Sequence, residues 1–280
     1  MDFKPSYLEI EPDELVRHLL RETGQEARDA VNPADLLAYL NLQHASFNFE
    51  TGLPSEVSRE GARPRALLSF PDRLVATDSA LKDKWARFSV LHEIGHYVLP
   101  AHEHALYLCD ERALNLQTKL DFEREANEFA AQLLFQGDRF TLEANSLPIA
   151  AKTVKALADK YQASYEATAR RLVEQNVRPC MLIVFKEDDT EAKINTDLPP
   201  SWSDRYCIAS ARFRTEFFAS VHAKVPAEIA TQLTRPGRDI ADGILREFAL
   251  QNPRGGSQHF TLEFFSNTYN IFCLLVPITK

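Results

Sequence analysis

The chain has 280 residues, 45% of them hydrophobic and 26% charged, and a formal net charge of −8. That is material for one large domain or two modest ones with an ample core, and the acidic balance argues against a protein whose main task is gripping a phosphate backbone. No run of about 18 apolar residues occurs, so no membrane-spanning helix is expected.

In chain order, residues 11–24 predict a helix, with Leu15, Leu19 and Leu20 on one face and Asp13 and Glu14 near its positive end. A second helix is predicted from Asn32-Pro33-Ala34-Asp35, capped by Asn32, with Pro33 where a missing N–H costs nothing. Phe47 and Phe49 alternate with polar neighbours and predict a short strand. After a polar stretch around Pro54–Pro64, residues 66–70 and 74–77 predict a hairpin about Pro71-Asp72. Helix signals resume at Thr77-Asp78-Ser79 and run through Tyr97, with Pro100 as the stop. Residues 101–120 are mixed in character. A strong helix follows from about Asp121 to Phe135, and Gly137 ends it. Two more helices are predicted near 148–161 and 164–175.

At about residue 178 the pattern changes. Met181–Phe185 is a continuous apolar run, as a buried strand requires. Asp188-Asp189 and Pro199-Pro200 mark loops. A helix is predicted near 238–249, followed by a hairpin from Phe260-Leu262-Phe264 through Ser266-Asn267 into Tyr269–Val276. The expected organisation is one domain over 1–177 and a separate α+β domain over 178–280. Cys109, Cys180, Cys207 and Cys273 are scattered with no CxxC pair, and the start Met1-Asp2-Phe3-Lys4-Pro5 has no signal-peptide pattern. Reduced thiols and a cytoplasmic location are the expectation.

The sharpest motif is His92-Glu93-Ile94-Gly95-His96. Residues four apart share a helix face, so both imidazoles can bind one metal ion. Glu93 beside the first ligand can then reach a water on the metal, as a general base. Trp85, Phe88, Leu91 and Val98 make the helix amphipathic and predict that it is packed. A third ligand is needed. Glu123, Glu125 and Glu128 compete for the place, with Asp110 and Glu111 on no firm element. His102 and His104, just past Pro100, read as loop residues. Glu123 is selected because Asn127, four residues on, shares its face and can accept the free ring N–H of a ligating histidine. Ala130 and Ala131 beside it allow close helix approach. Glu125, about 200° around the helix from Glu123, is expected to face solvent. Zinc suits a two-histidine, one-carboxylate set, and manganese or iron also fit.

The segment Ser89–His96 followed by Glu123–Leu134 resembles the ImmA/IrrE family of bacterial metallopeptidases over roughly residues 10–175. The resemblance implies His92, His96 and Glu123 as ligands, Glu93 as general base, and a thermolysin-like, mostly helical zincin core. It also implies a substrate: a helix-turn-helix transcriptional repressor, cleaved in stress response or mobile-element control. The family usually ends its second motif Leu-Leu-Met-Pro, where this chain has Leu133-Leu134-Phe135-Gln136. The IrrE branch carries a GAF-like sensor domain, which 178–280 could match.

Two other readings compete. Residues 154–172 resemble a helix-turn-helix that would present Arg170 and Arg171 to DNA, against which the net charge of −8 stands. A sensor or protein-binding module with a silent or structural metal site is the other.

Overall fold

A computed structural model describes residues 11–53, 64–100, 102–103, 116–187, 202–221, 244–251, 257–267 and 269–278. Its helices are α1 (Pro12–Glu22), α2 (Pro33–Tyr39), α3 (Phe49–Gly52), α4 (Asp83–Val98), α5 (Leu116–Leu134), α6 (Asp138–Ser146), α7 (Ala151–Lys160), α8 (Tyr165–Glu174) and α9 (Ala211–Val221). The strands are β1 (Gln43–Phe47), β2 (Ala66–Ser69), β3 (Leu74–Asp78), β4 (Met181–Glu187), β5 (Trp202–Ala209), β6 (Ile244–Gln251), β7 (Ser257–Ser266) and β8 (Asn270–Pro277). They form two compact units, one drawn from Met1–Phe140 with Lys160–Ala163, the other from Thr141–Asp159 with Ser164–Lys280. The expected division at 177/178 follows the change in sequence character, whereas this grouping follows packing and places α7 and α8 with the strands after residue 180.

In the first unit, α1 and α2 form as their caps and apolar faces predict. Leu15, Leu19 and Leu36 are fully buried, and Asn32 Oδ1 accepts the Ala34 N–H at 3.1 Å. The buried Gln25 ties the two helices: its Oε1 accepts the Asn32 N–H at 2.9 Å and its Nε2 donates to Asp35 at 3.0 Å. A three-stranded sheet, ordered β1-β3-β2, carries the predicted hairpin of β2 and β3, with β1 added in parallel to β3. Phe49 lies outside the strand predicted for it. The chain leaves β1 after Phe47, and Asn48 caps the short α3 through the Glu50 N–H at 2.8 Å.

The helix predicted from residue 77 starts at Asp83. Thr77 and Asp78 are held in the β1 and β2 ladders, and Asp78 Oδ1 accepts the Ala80 N–H at 3.1 Å, making a turn first. Only the first half of α4 is amphipathic. From Ser89 to Val98 nearly every side chain is buried, polar ones included. Trp85, expected in the core, is 44% exposed, and the Arg65 guanidinium lies over its ring at 4.1 Å. Helix α5 buries Ala126, Phe129, Ala130 and Leu133. It ends where Gln136 and Gly137 take positive φ (55° and 58°), with the Gly137 N–H returning to the Gln132 carbonyl at 2.8 Å.

The second unit is built on a five-stranded antiparallel sheet ordered β5-β4-β8-β7-β6. Met181, Ile183, Phe185, Phe260, Leu262, Phe264, Ile271, Cys273 and Leu275 form one apolar face together with Phe213 of α9. On the opposite face, Glu166 of α8 accepts from Arg205, Tyr206 and Asn270 at 2.9, 2.6 and 3.1 Å, and the Ala151 N–H of α7 donates to Glu263 at 3.0 Å. Leu182, Val184, Phe265, Phe272 and Leu274 are buried there. The sheet therefore reads as a continuous apolar run because both faces are covered.

The helix predicted near 238–249 is replaced, over its described part, by strand β6. Its apolar residues stand at helical spacing, but Phe248 pairs with Phe260 across the ladder and packs against the apolar face. Tertiary pairing overrides a local pattern here. Cys180, Cys207 and Cys273 are free, and burial pushes the thiols of Cys180 and Cys207 up to about 12. Cys109 lies outside the described residues, as do Asp188-Asp189 and Pro199-Pro200. No described helix is long and apolar enough to cross a membrane.

Candidate metal centre

The site is made by two helices of the first unit, α4 and α5, and their approach depends on Gly95. A β-carbon there would stand 3.2 Å from the Ala126 carbonyl oxygen and 3.3 Å from the Ala126 Cα. Both are backbone atoms in a helix, so they yield little. Gly95→Ala is expected to overpack this crossing and destabilise the protein by about 1–3 kcal/mol, read as a lower denaturant midpoint at unchanged slope. An unchanged midpoint would mean that the helices separate freely.

That crossing brings the motif face of α4 to Glu123 of α5. His92 Nε2 and His96 Nε2 stand 3.0 Å apart. Glu123 Oε2 lies 3.3 Å from His92 Nε2, and Oε1 lies 3.6 Å from His96 Nε2. Among the described residues, these three offer ligand atoms that all lie within 4.8 Å of one another and could hold a metal ion. A test of fit follows from bond lengths. Zinc bonds of about 2.0–2.1 Å at tetrahedral angles separate neighbouring ligand atoms by about 3.3–3.4 Å. The two imidazole nitrogens, 3.0 Å apart, lie close to that value, and Glu123 turns one carboxylate oxygen toward each of them at 3.3 and 3.6 Å. The donor set of two imidazoles and one carboxylate also suits the ion and leaves a position open.

The electrostatics agree with this reading. The His92 and His96 rings, 3.3 and 3.6 Å from its oxygens, hold the Glu123 carboxyl well below the usual carboxylate range, although its side chain is 47% exposed. Burial works to lower the pKa of His92, but Glu123, the charge of Glu93 and Asn127 outweigh it and the net shift is upward. A tight group of anions around two imidazoles is a ready site for a cation. Glu93 is buried, and burial raises its pKa, with His92 and His96 partly offsetting the rise. It sits within electrostatic reach of His92, His96 and Glu123 without belonging to the converging set. A carboxylate so placed is a candidate proton acceptor rather than a ligand.

Asn127 stands beside His92 and favours its protonated form. His92 Nδ1 is nevertheless buried without a hydrogen bond of ordinary geometry among the described residues. Glu125 does not simply face solvent. Its Oε2 meets Nε2 of His102 at 3.1 Å, and Nδ1 of His102 meets Nδ1 of His96 at 2.9 Å. His102 is fully buried, with the Phe122 ring 4.5 Å from its own between centroids. It is no member of the converging set, but it stands directly behind one. The only signal in the sequence was a histidine six residues past the motif. Tyr97 is buried, its ring stacked on Phe70. Asp110, Glu111 and His104 lie outside the described residues.

Two helices that present an HExxH face and a carboxylate to one point form a candidate metal centre of the zincin type. Residues 58–173 match the family model described as the IrrE N-terminal-like domain, Peptidase_M78. The chain therefore carries an ImmA/IrrE-family metallopeptidase domain over that part of its length. Among solved structures, a chain described as a Mycobacterium tuberculosis transcriptional regulator is similar in fold, with a TM-score of 0.55 at 13% identity, over 95% of this chain and 75% of that one. No curated protein matches the chain.

The helix-turn-helix resemblance takes a different meaning in the structure. Helices α7 and α8 are joined by a turn containing Gln162 at φ 53°, but α8 spends one face on the sheet. Arg171 is buried, and Arg170 is held by Glu174 at 3.0 Å. Of the pair expected on a recognition helix, only Arg170 reaches the surface.

Proposed function

We propose that this protein is a zinc-dependent endopeptidase that cleaves one specific protein, a helix-turn-helix transcriptional repressor, in stress response or mobile-element control. The observation that carries the reading is the convergence of His92, His96 and Glu123 beside a buried Glu93 in an ImmA/IrrE-family domain. His92, His96 and Glu123 would hold the ion. Bound there, zinc supplies Lewis acidity and lowers the pKa of a coordinated water to about 7. Glu93 takes a proton from the attacking water and returns it to the departing amide nitrogen. Its raised pKa suits both halves of that transfer, because it must hold the proton and then release it. Manganese in place of zinc would use the same three side chains.

The similarity in fold to a protein described as a transcriptional regulator supports a regulatory setting. We assign residues 1–177 to the peptidase domain by kinship of sequence and residues 178–280 to a GAF-like sensor that governs it. What supports the sensor reading is a five-stranded antiparallel sheet with helices on both faces, a scaffold separate from the catalytic helices. A cytoplasmic location follows from a repressor substrate and free thiols.

The test is a comparison of protein N-termini in cells making the wild type with cells making Glu93→Gln, under several stresses. A new N-terminus confined to the wild type, inside one repressor, is the expected result and names the substrate. Identical N-termini throughout would transfer the weight to a sensing or protein-binding role with a silent metal site.

A further inference from the structure

The protons between Glu125, His102 and His96 can be counted, and the count has one solution compatible with metal binding. His96 binds a metal through Nε2 only if Nε2 carries a lone pair, so its proton must sit on Nδ1. That Nδ1–H faces Nδ1 of His102 at 2.9 Å, which must then be an acceptor. A neutral His102 with a bare Nδ1 carries its proton on Nε2, and that atom faces the Glu125 carboxylate at 3.1 Å. The opposite arrangement fails. A doubly protonated His102 would donate from Nδ1 to His96, forcing the His96 proton onto Nε2 and closing the ligand position. His102 is fully buried, and the half-exposed Glu125 supplies the acceptor that its Nε2–H needs.

We infer that Glu125 and His102 are positioning residues that act through His96, holding it in the one tautomer whose Nε2 lone pair points to His92 and Glu123. This rests on the proposed metal site and gives Glu125, a rival for third ligand on spacing alone, a separate task. Glu123 and Glu125 are two residues apart on α5 and therefore serve opposite sides of the same imidazole. The Phe122 ring packs against the His102 ring, with centroids 4.5 Å apart. The arrangement is the outer partnership that orients a ligating histidine, extended by one imidazole.

The test uses the full chain and two readouts. The first is zinc affinity, by competition with a chromophoric chelator, for the wild type, His102→Leu, His102→Gln and Glu125→Ala. His102→Leu removes the acceptor and is expected to weaken zinc by about 10–100-fold. His102→Gln can accept from His96 and donate to Glu125, so it is expected to recover most of that loss. Glu125→Ala changes a half-exposed position, disturbs the fold least, and is expected to weaken zinc in the same direction. The second readout is nitrogen-15 NMR of the histidine rings in the metal-free protein. Wild-type His96 is expected to carry its proton on Nδ1, and His102→Leu to shift it toward Nε2. A wild-type His96 protonated on Nε2, or folded His102→Leu and Glu125→Ala proteins with unchanged zinc affinity, would overturn the inference. A wild type that binds no zinc, while His96 still shows the Nδ1 proton, would overturn the metal-site reading and leave the tautomer assignment standing.

Discussion

Glu93→Gln is expected to keep its metal and lose peptide cleavage by about 10²–10⁴-fold, the range that general acid–base catalysis contributes. The glutamine amide has the shape of the carboxyl group but takes no proton at neutral pH. Glu93 is buried and lies outside the converging ligand atoms, so the substitution leaves those atoms in place. The sign on stability is also set. The carboxyl pKa is raised in the folded protein, so its ionised form is disfavoured there and costs stability as pH rises past the unfolded value. A neutral amide removes that cost, and the variant is expected to be at least as stable as the wild type near neutral pH. Metal content by mass spectrometry, cleavage of the substrate named by the N-terminal comparison, and a denaturant midpoint together check this. Loss of metal along with activity would show that Glu93 is a ligand and that the general base is elsewhere.

Glu123→Ala is expected to lower zinc affinity by more than about 100-fold, beyond the range for loss of an outer hydrogen-bond partner. The variant removes one of three ligand atoms. It also removes the anion that holds the two imidazole edges together at 3.3 and 3.6 Å. The half-exposed side chain fills no core space, so the fold is expected to survive. Chelator competition reads the affinity directly. An unchanged affinity would redirect the third ligand to Glu128, or to Asp110 and Glu111, since Glu125 is engaged with His102. The pair of variants separates two jobs: one keeps the ion and loses the proton transfer, and the other loses the ion.

Much of this site was readable before any coordinates. The spacing of His92 and His96 is a local property of a helix, and so is the phase of Glu123 with Asn127. Both follow from 3.6 residues per turn, whatever the helices pack against. The caps were equally local: Asn32 ahead of Pro33 and Gly137 after α5 act through their immediate neighbours. The apolar run at Met181–Phe185 announced a strand buried on both faces for the same reason.

Properties that depend on a distant partner were out of reach of that reading. Residues 244–251 carry apolar side chains at helical spacing, yet they form β6 because β7 offers a ladder and Phe248 a place on the sheet's apolar face. Helix α4 begins late because Thr77 and Asp78 are claimed by two neighbouring strands. Arg171 is buried because α8 lies on a sheet whose strands follow it in the chain.

By itself, then, the sequence determined the candidate ligand types, their spacing along each helix, the candidate proton acceptor beside them and the family of the domain, because each is carried by residues within a turn or two of one another. Only the tertiary structure decided how closely α4 and α5 approach at Gly95, and that Glu125 and His102 stand behind His96. The approach of Gly95 to Ala126 and the contact of His102 with Glu125 join residues more than twenty positions apart. Their physical cause is burial: once His102 is taken from water, its two ring nitrogens must find partners, and the fold supplies His96 on one side and the Glu125 carboxylate on the other.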